Sequence, residues 1–251
     1  KAWLDGATQF DPLVKPIITP RFVPSCTSEL MTGLAKLAKE YDVPVQSHLS
    51  ENHGEIDWVA SLHPESSNYT DVYYEHHLMG TVPTVMAHCI HLSDVEMDRM
   101  AETQTMVSHC PYSNVNLSSG IAPIRKLFER NIPIGLGSDI SGGHIVSMAK
   151  VLTEAVGLSK MKWAEVDQNY APLTLSEAFY MATKGGGQFF GHVGSFENGC
   201  ELDALIIDDT SLFDPNERSL EERLERWLYV GDDRHIIERY VAGRVVPSPK
   251  G

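Results

Sequence analysis

Long apolar runs are missing from these 251 residues. Nothing reaches the roughly 18 consecutive apolar residues that a membrane-spanning helix requires, so no span is expected. Positive charge is scarce too: 20 Lys and Arg face 34 Asp and Glu, a net charge of −14. That balance argues against nucleic-acid polymers and anionic membrane surfaces as partners. Cysteine is sparse, and Cys26, Cys89, Cys110 and Cys200 are far apart with no C-x-x-C or finger-like pattern. Reduced thiols in a cytoplasmic protein are therefore expected, with no disulfide framework. Lys1 to Gly6 hold neither an initiator Met nor an apolar signal-peptide region, which points to a fragment or a processed chain.

The composition that remains is ordinary, 42% hydrophobic and 22% charged, and suits a globular chain with a large core. Short β-branched runs recur at residues 16–22, 43–48, 81–88, 105–109 and 132–139. Their length and content read as buried strands. Helical patterns lie between them. Leu30, Met31, Leu34, Leu37, Ala38 and Tyr41 share a 3.6-residue period behind Thr27 and Ser28. Ser93 to Glu96 is a capping box, Thr174 to Glu177 caps another helix, and Ile145, Met148, Leu152 and Val156 line a third. Strands alternating with helices imply β/α units and a parallel sheet.

In β/α barrels the chemistry sits where strands end and loops begin. Four successive strands here deliver His48, His88, His109 and Asp139 at that rim. Metal ligation or acid–base work explains such a series. Past residue 190 the pattern changes to a turn-rich stretch, a strand at 200–208, an amphipathic helix at 220–230 and a strand at 236–246 with Gly243 in a turn. This tail reads as a small β element.

Ser47-His48-Leu49-Ser50-Glu51 is the strongest local constellation, an imidazole followed three residues later by a carboxylate. One group can hold a metal while the other moves protons; alone, the pair also fits a surface His and a solvated Glu. Asp139 lies among Gly135, Gly137, Gly142 and Gly143, where the bland reading is a helix cap. Gly135-x-Gly137 lacks the dinucleotide spacing and any Walker lysine, so a phosphate loop is rejected. His109 reads as a hydrogen-bonded rim or core histidine. Nothing beside Cys110 would depress a thiol pKa convincingly.

The strings SHLSE, AHCIHLS, SHCPYSN and GLGSDISGG resemble the amidohydrolase superfamily of metal-dependent hydrolases. Within it, Ile17 to Phe22 with QSHLSEN and TVMAH resembles the eukaryotic guanine deaminase family, from about residue 16 into the tail. The resemblance implies a partial (β/α)8 barrel, about strands 4–8, over residues 1–190. Residues 191–251 would then return into a small β-sandwich domain. It makes His48 and Asp139 metal ligands for one zinc per subunit, Glu51 the proton shuttle, and Asp139 the acceptor of the water proton. His88 would polarise the water or hold substrate, and Arg21 and Phe22 would recognise the purine, with His48, His88 and Asp139 also lining its site. The implied reaction is hydrolytic deamination of guanine to xanthine by a cytoplasmic homodimer. The other zinc nucleobase-deaminase design requires P-C-x-x-C, which does not occur.

One departure stands out. The superfamily's first strand ends in His-x-His, and no His-x-His exists here. Five strands are legible where a barrel needs eight. The expectation is therefore the C-terminal portion of such an enzyme, needing an N-terminal segment that carries the missing ligands. Another deaminase or chlorohydrolase-type relative stays open as a reading. So does an inactive fragment that acts through dimerisation.

Overall fold

The structure is a computed structural model describing residues 1–7 and 13–247. Its helices and strands run α1 (Ala2–Ala7), β1 (Ile18–Arg21), α2 (Ser28–Tyr41), β2 (Val45–Leu49), α3 (His53–Leu62), α4 (Tyr69–Glu75), β3 (Thr84–His88), α5 (Asp94–Glu102), β4 (Met106–His109), α6 (Pro111–Asn116), α7 (Ile124–Glu129) and β5 (Ile134–Leu136). Then come α8 (Met148–Glu165), α9 (Leu175–Tyr180), β6 (Ala204–Ile207), α10 (Leu220–Val230), β7 (Ile236–Val241) and β8 (Arg244–Val245). No helix among the described residues is long and apolar enough to cross a membrane. The chain divides into two compact units, residues 1–109 with 118–134 and residues 110–117 with 135–251.

A sheet ordered β1-β2-β3-β4-β5 organises the first unit, with β5 beginning at that unit's last residue. The pairs β1–β2, β2–β3 and β3–β4 are parallel. All five strands coincide with the apolar runs of the sequence, each starting one to three residues later, and β2 runs one residue further, to Leu49. In three of those runs a proline stands immediately before the strand, Pro44, Pro83 and Pro133, and a residue without an N–H cannot donate to the ladder. Each proline still serves the sheet through its carbonyl, which accepts from Ile18, Val45 or Val107 at 2.8–3.0 Å. Val45, Leu49, Met86, Val107 and Ile134 are fully buried, and Met31, Met97, Met100 and Leu127 from the helices pack the same unit. Thr27 caps α2 by accepting from the Leu30 N–H, and Ser93 forms the expected capping box on α5.

The second unit buries Leu152 and Val156 of α8, Ala178 of α9, and Trp227 and Leu228 of α10. Lys150 donates to the Leu228 and Tyr229 carbonyls at 3.1 and 2.9 Å, placing a cation on the negative end of α10. The tail folds as an antiparallel sheet, β6-β7-β8. The expected 236–246 strand divides into two at the turn expected at Gly243, where Ala242 and Gly243 both take left-handed φ and reverse the chain. Ile145 lies outside α8, which starts at Met148, so the helical pattern began three residues too early.

Candidate active site

The site grows from the carboxyl ends of β1, β2 and β3. Arg21 ends β1 with a left-handed φ of 66°, which turns its carbonyl toward β2. That oxygen accepts from Ser47 Oγ at 2.8 Å and from His48 Nδ1 at 2.6 Å. A carbonyl can only accept, so Nδ1 carries the His48 proton and the Nε2 lone pair is left for a metal or a donor. The buried Tyr73 hydroxyl donates to the His48 carbonyl at 2.9 Å and lies 2.7 Å from Ser47 Oγ. Backbone and ring of His48 are both held. The Arg21 guanidinium lies 5.3 Å over the Phe22 ring, which meets Trp58 edge-on at 6.1 Å.

Sheet register alone would separate the two central histidines. His48 is paired with Ala87, and His88 with Leu49, so a regular pleat points the two imidazoles to opposite faces. Yet their rings stack with centroids 5.2 Å apart. The alternation is broken at His88, whose φ is +70°. Left-handed backbone at a non-glycine residue costs on the order of 1–3 kcal/mol and gathers at functional sites. Ser50 and Cys89 share the feature, with φ of 49° and 52°. The turn is anchored by the Ile90 and His91 N–H groups on the Ser50 carbonyl, at 3.2 and 3.1 Å.

Glu51 stands just beyond β2. Its N–H donates to Glu55 Oε2 at 3.0 Å, and Glu55 is fixed in turn by the Tyr69 hydroxyl at 2.7 Å. Its carboxylate accepts from Ser119 Oγ on Oε1 at 3.0 Å, while Oε2 lies 3.7 Å from His88 Nε2. Of the residues singled out in the sequence, the first unit thus gathers Arg21, Phe22, His48, Glu51 and His88.

His109 ends β4 inside this unit and is buried, and its Nδ1 lacks a hydrogen-bond partner among the described residues. A core position was expected; a hydrogen bond at this nitrogen is not found. Burial, and then the charge of His88, lower its pKa to about 3. It therefore stays neutral when folded but takes a proton near pH 6.5 when unfolded. The unfolded chain binds more protons between about pH 6.5 and 3, so stability must fall with pH across that window, by up to about 1.4 kcal/mol per unit. Denaturant unfolding at pH 7, 6 and 5 should show a shallower dependence for His109→Gln; coincident curves would refute the burial argument.

Asp139 belongs to the second unit, three residues past β5, with φ of +44°. Its carbonyl accepts from the Gly143 N–H at 2.6 Å. Space explains the glycines here. A Cβ at Gly142 would lie 2.7 Å from Asp139 Oδ2 and 2.8 Å from Ser113 Oγ, and one at Gly143 only 2.4 Å from the Ser138 carbonyl. Cys110 is buried at the amino end of α6, without a side-chain capping bond.

Several residues of the site carried little or no signal in the sequence. Asn52-x-x-Glu55 could have been read as a cap with a carboxylate at its third position, since Asn52 Oδ1 accepts from the Glu55 N–H at 2.9 Å. Ser119, Tyr73, Trp58 and the tilted ring pair His53–His91 could not, because only the fold brings them near.

A parallel β/α sheet that carries imidazoles and a carboxylate beyond its strands' carboxyl ends has the layout of β/α-barrel enzymes. The chain belongs to the amidohydrolase family, whose model matches residues 5–246. It is 44% identical over 243 residues to the guanine deaminase of Dictyostelium discoideum, covering 94% of this chain and 54% of that protein. With the guanine deaminase of Mus musculus it shares 42% over 248 residues, covering 94% and 54%. Among solved structures, guanine deaminase from C. acetobutylicum with guanine bound in its active site superposes with a TM-score of 0.93. That match has 52% identity and covers 97% of this chain and 58% of that one. The fold class expected from the sequence, α/β with the parallel sheet of a partial barrel, is the one found. The chain spans about half the length of the curated relatives it matches.

Proposed function

We propose that this chain carries much of the active site of a zinc-dependent hydrolase that converts guanine and water to xanthine and ammonia. The supporting observation is the cluster of Arg21, His48, Glu51 and His88, built on backbone that leaves regular strand geometry at Arg21 and His88.

The donor types suit zinc. His48 holds its Nε2 lone pair available, and Asp139 supplies a carboxylate on a turn with no room for a side chain at Gly142 or Gly143. The number of donors is incomplete: no group of three or more His, Cys, Asp or Glu among the described residues could hold a metal. Catalytic zinc takes three protein ligands and a water. His48 and Asp139 would hold one zinc per subunit, joined by a His-x-His pair from outside these residues. When bound, the ion brings the pKa of its water toward neutrality.

The remaining steps belong to side chains. The Arg21 guanidinium offers a fork of donors to the acceptor edge of the purine, and Phe22 an aromatic face beside it. Asp139 accepts a proton from the attacking water as the C2–O bond forms. Glu51 Oε2 passes one of the water's two protons to the adjacent ring nitrogen; the other, taken up by Asp139, goes to the amino group, so the C2–N bond breaks with ammonia leaving and C2 becomes a carbonyl carbon of xanthine. His88, beside Oε2, holds the substrate or polarises the water. We assign residues 1–190 to the barrel and 191–251 to the return into a small β-sandwich domain. A cytoplasmic homodimer is the setting we infer, consistent with four free cysteines.

The test is an assay of the protein with every segment its gene encodes. Guanine should yield equimolar xanthine and ammonia, lost on chelation and regained with zinc. Zinc binding without guanine turnover would defeat the substrate assignment, and chelator-resistant turnover the metal.

A further inference from the structure

We infer that Ser119 is a positioning residue for Glu51, and that His91 and Gly120 hold Ser119 in place. The inference rests on Glu51 moving protons as proposed above. Three torsions and two equivalent oxygens leave a glutamate carboxylate free to turn unless something fixes it. Ser119 is buried, and its hydroxyl donates to Oε1 from 68 residues away in sequence. With Oε1 engaged, Oε2 is the oxygen left 3.7 Å from His88 Nε2. One hydrogen bond thus decides which oxygen handles the proton.

The serine is itself held on a built support. His91 Nε2 donates to the Ser119 carbonyl at 2.8 Å, and the His91 ring packs on His53 with centroids 4.0 Å apart. Gly120 follows with φ of +130°, a region nearly closed to other residues. A Cβ there would approach Ile90 Cγ2 to 3.1 Å and His91 Cε1 to 3.3 Å. Glycine lets the loop lie against His91 and turns the serine hydroxyl to Glu51.

A donor on a carboxylate fixes its direction. Ser119→Ala should therefore lower kcat about 10- to 100-fold, the scale of a hydrogen bond to a charged group. KM should change less than about threefold, because the contact acts on the proton carrier and not on bound substrate. Ser119→Thr, which keeps the hydroxyl, should restore kcat. Unchanged kcat in Ser119→Ala would overturn the assignment. Should the unaltered protein fail to turn over guanine, the functional reading fails separately. Crystal structures of Ser119→Ala and the parent then decide: a displaced or disordered Glu51 carboxylate supports the role of Ser119, and an unmoved one overturns it.

Discussion

Replacing Glu51 by Gln is expected to lower the proposed guanine turnover by about 10²- to 10⁴-fold, the span of a lost general acid–base group, while the protein should fold and bind metal as before. The substitution is narrow in its chemistry. An amide oxygen still accepts from Ser119 Oγ, and the residue's N–H still donates to Glu55 Oε2. The side chain is 17% exposed, so losing its charge leaves little buried imbalance. What disappears is the capacity to take up a proton and release it. The measurement is kcat with zinc content and melting temperature on the same preparation. Turnover near the parent level would move the shuttle to another residue, His88 first, since its Nε2 stands 3.7 Å from Oε2.

That prediction uses a residue legible in the sequence, and the reason is local. Glu51 closes a strand-end motif three residues after His48, so strand and loop patterns are enough to place it. The strand ends were legible on the same grounds: apolar β-branched runs stop where titratable residues begin, and His88 and His109 are the last residues of β3 and β4. Prolines shortened the strands at the other end, a cost of missing N–H groups that an apolar pattern does not register. At Asp139 the pattern overreached. β5 ends at Leu136, and three further residues lead to the carboxylate.

Facing was less legible than position. Alternation along β2 and β3, with their register, sends His48 and His88 to opposite sides, and only the left-handed φ at His88 stacks them. No adjacent glycine announces that conformation, because the residue taking it is the histidine. Contacts across long sequence gaps were not legible at all. Nothing around Ser119 marks it as a donor to Glu51, and His91 and His53 meet only once β3 has brought the 88–91 turn beside α3.

The second large effect is expected at Asp139. Asp139→Asn should cost about 10³-fold or more in turnover together with loss of retained zinc, since one substitution removes a ligand charge and a proton acceptor. Main-chain structure should survive, because the Gly143 N–H bonds the Asp139 carbonyl and not its side chain. Gly142→Ala provides the graded version. Its Cβ would lie 2.7 Å from Asp139 Oδ2 and 2.8 Å from Ser113 Oγ, with the backbone pinned by the bond from Asn116 Nδ2 to the Gly142 carbonyl at 2.7 Å. The carboxylate is the part with freedom to yield, so it must swing while keeping its charge. Misplacement on the scale of 1 Å can cost about 100-fold, and a loss of about 10- to 100-fold with only partial loss of zinc is expected. Metal analysis beside kcat separates the two variants. If Gly142→Ala kept full zinc and full turnover, the orientation of the Asp139 carboxylate would not matter, and the tight turn around it would need another explanation.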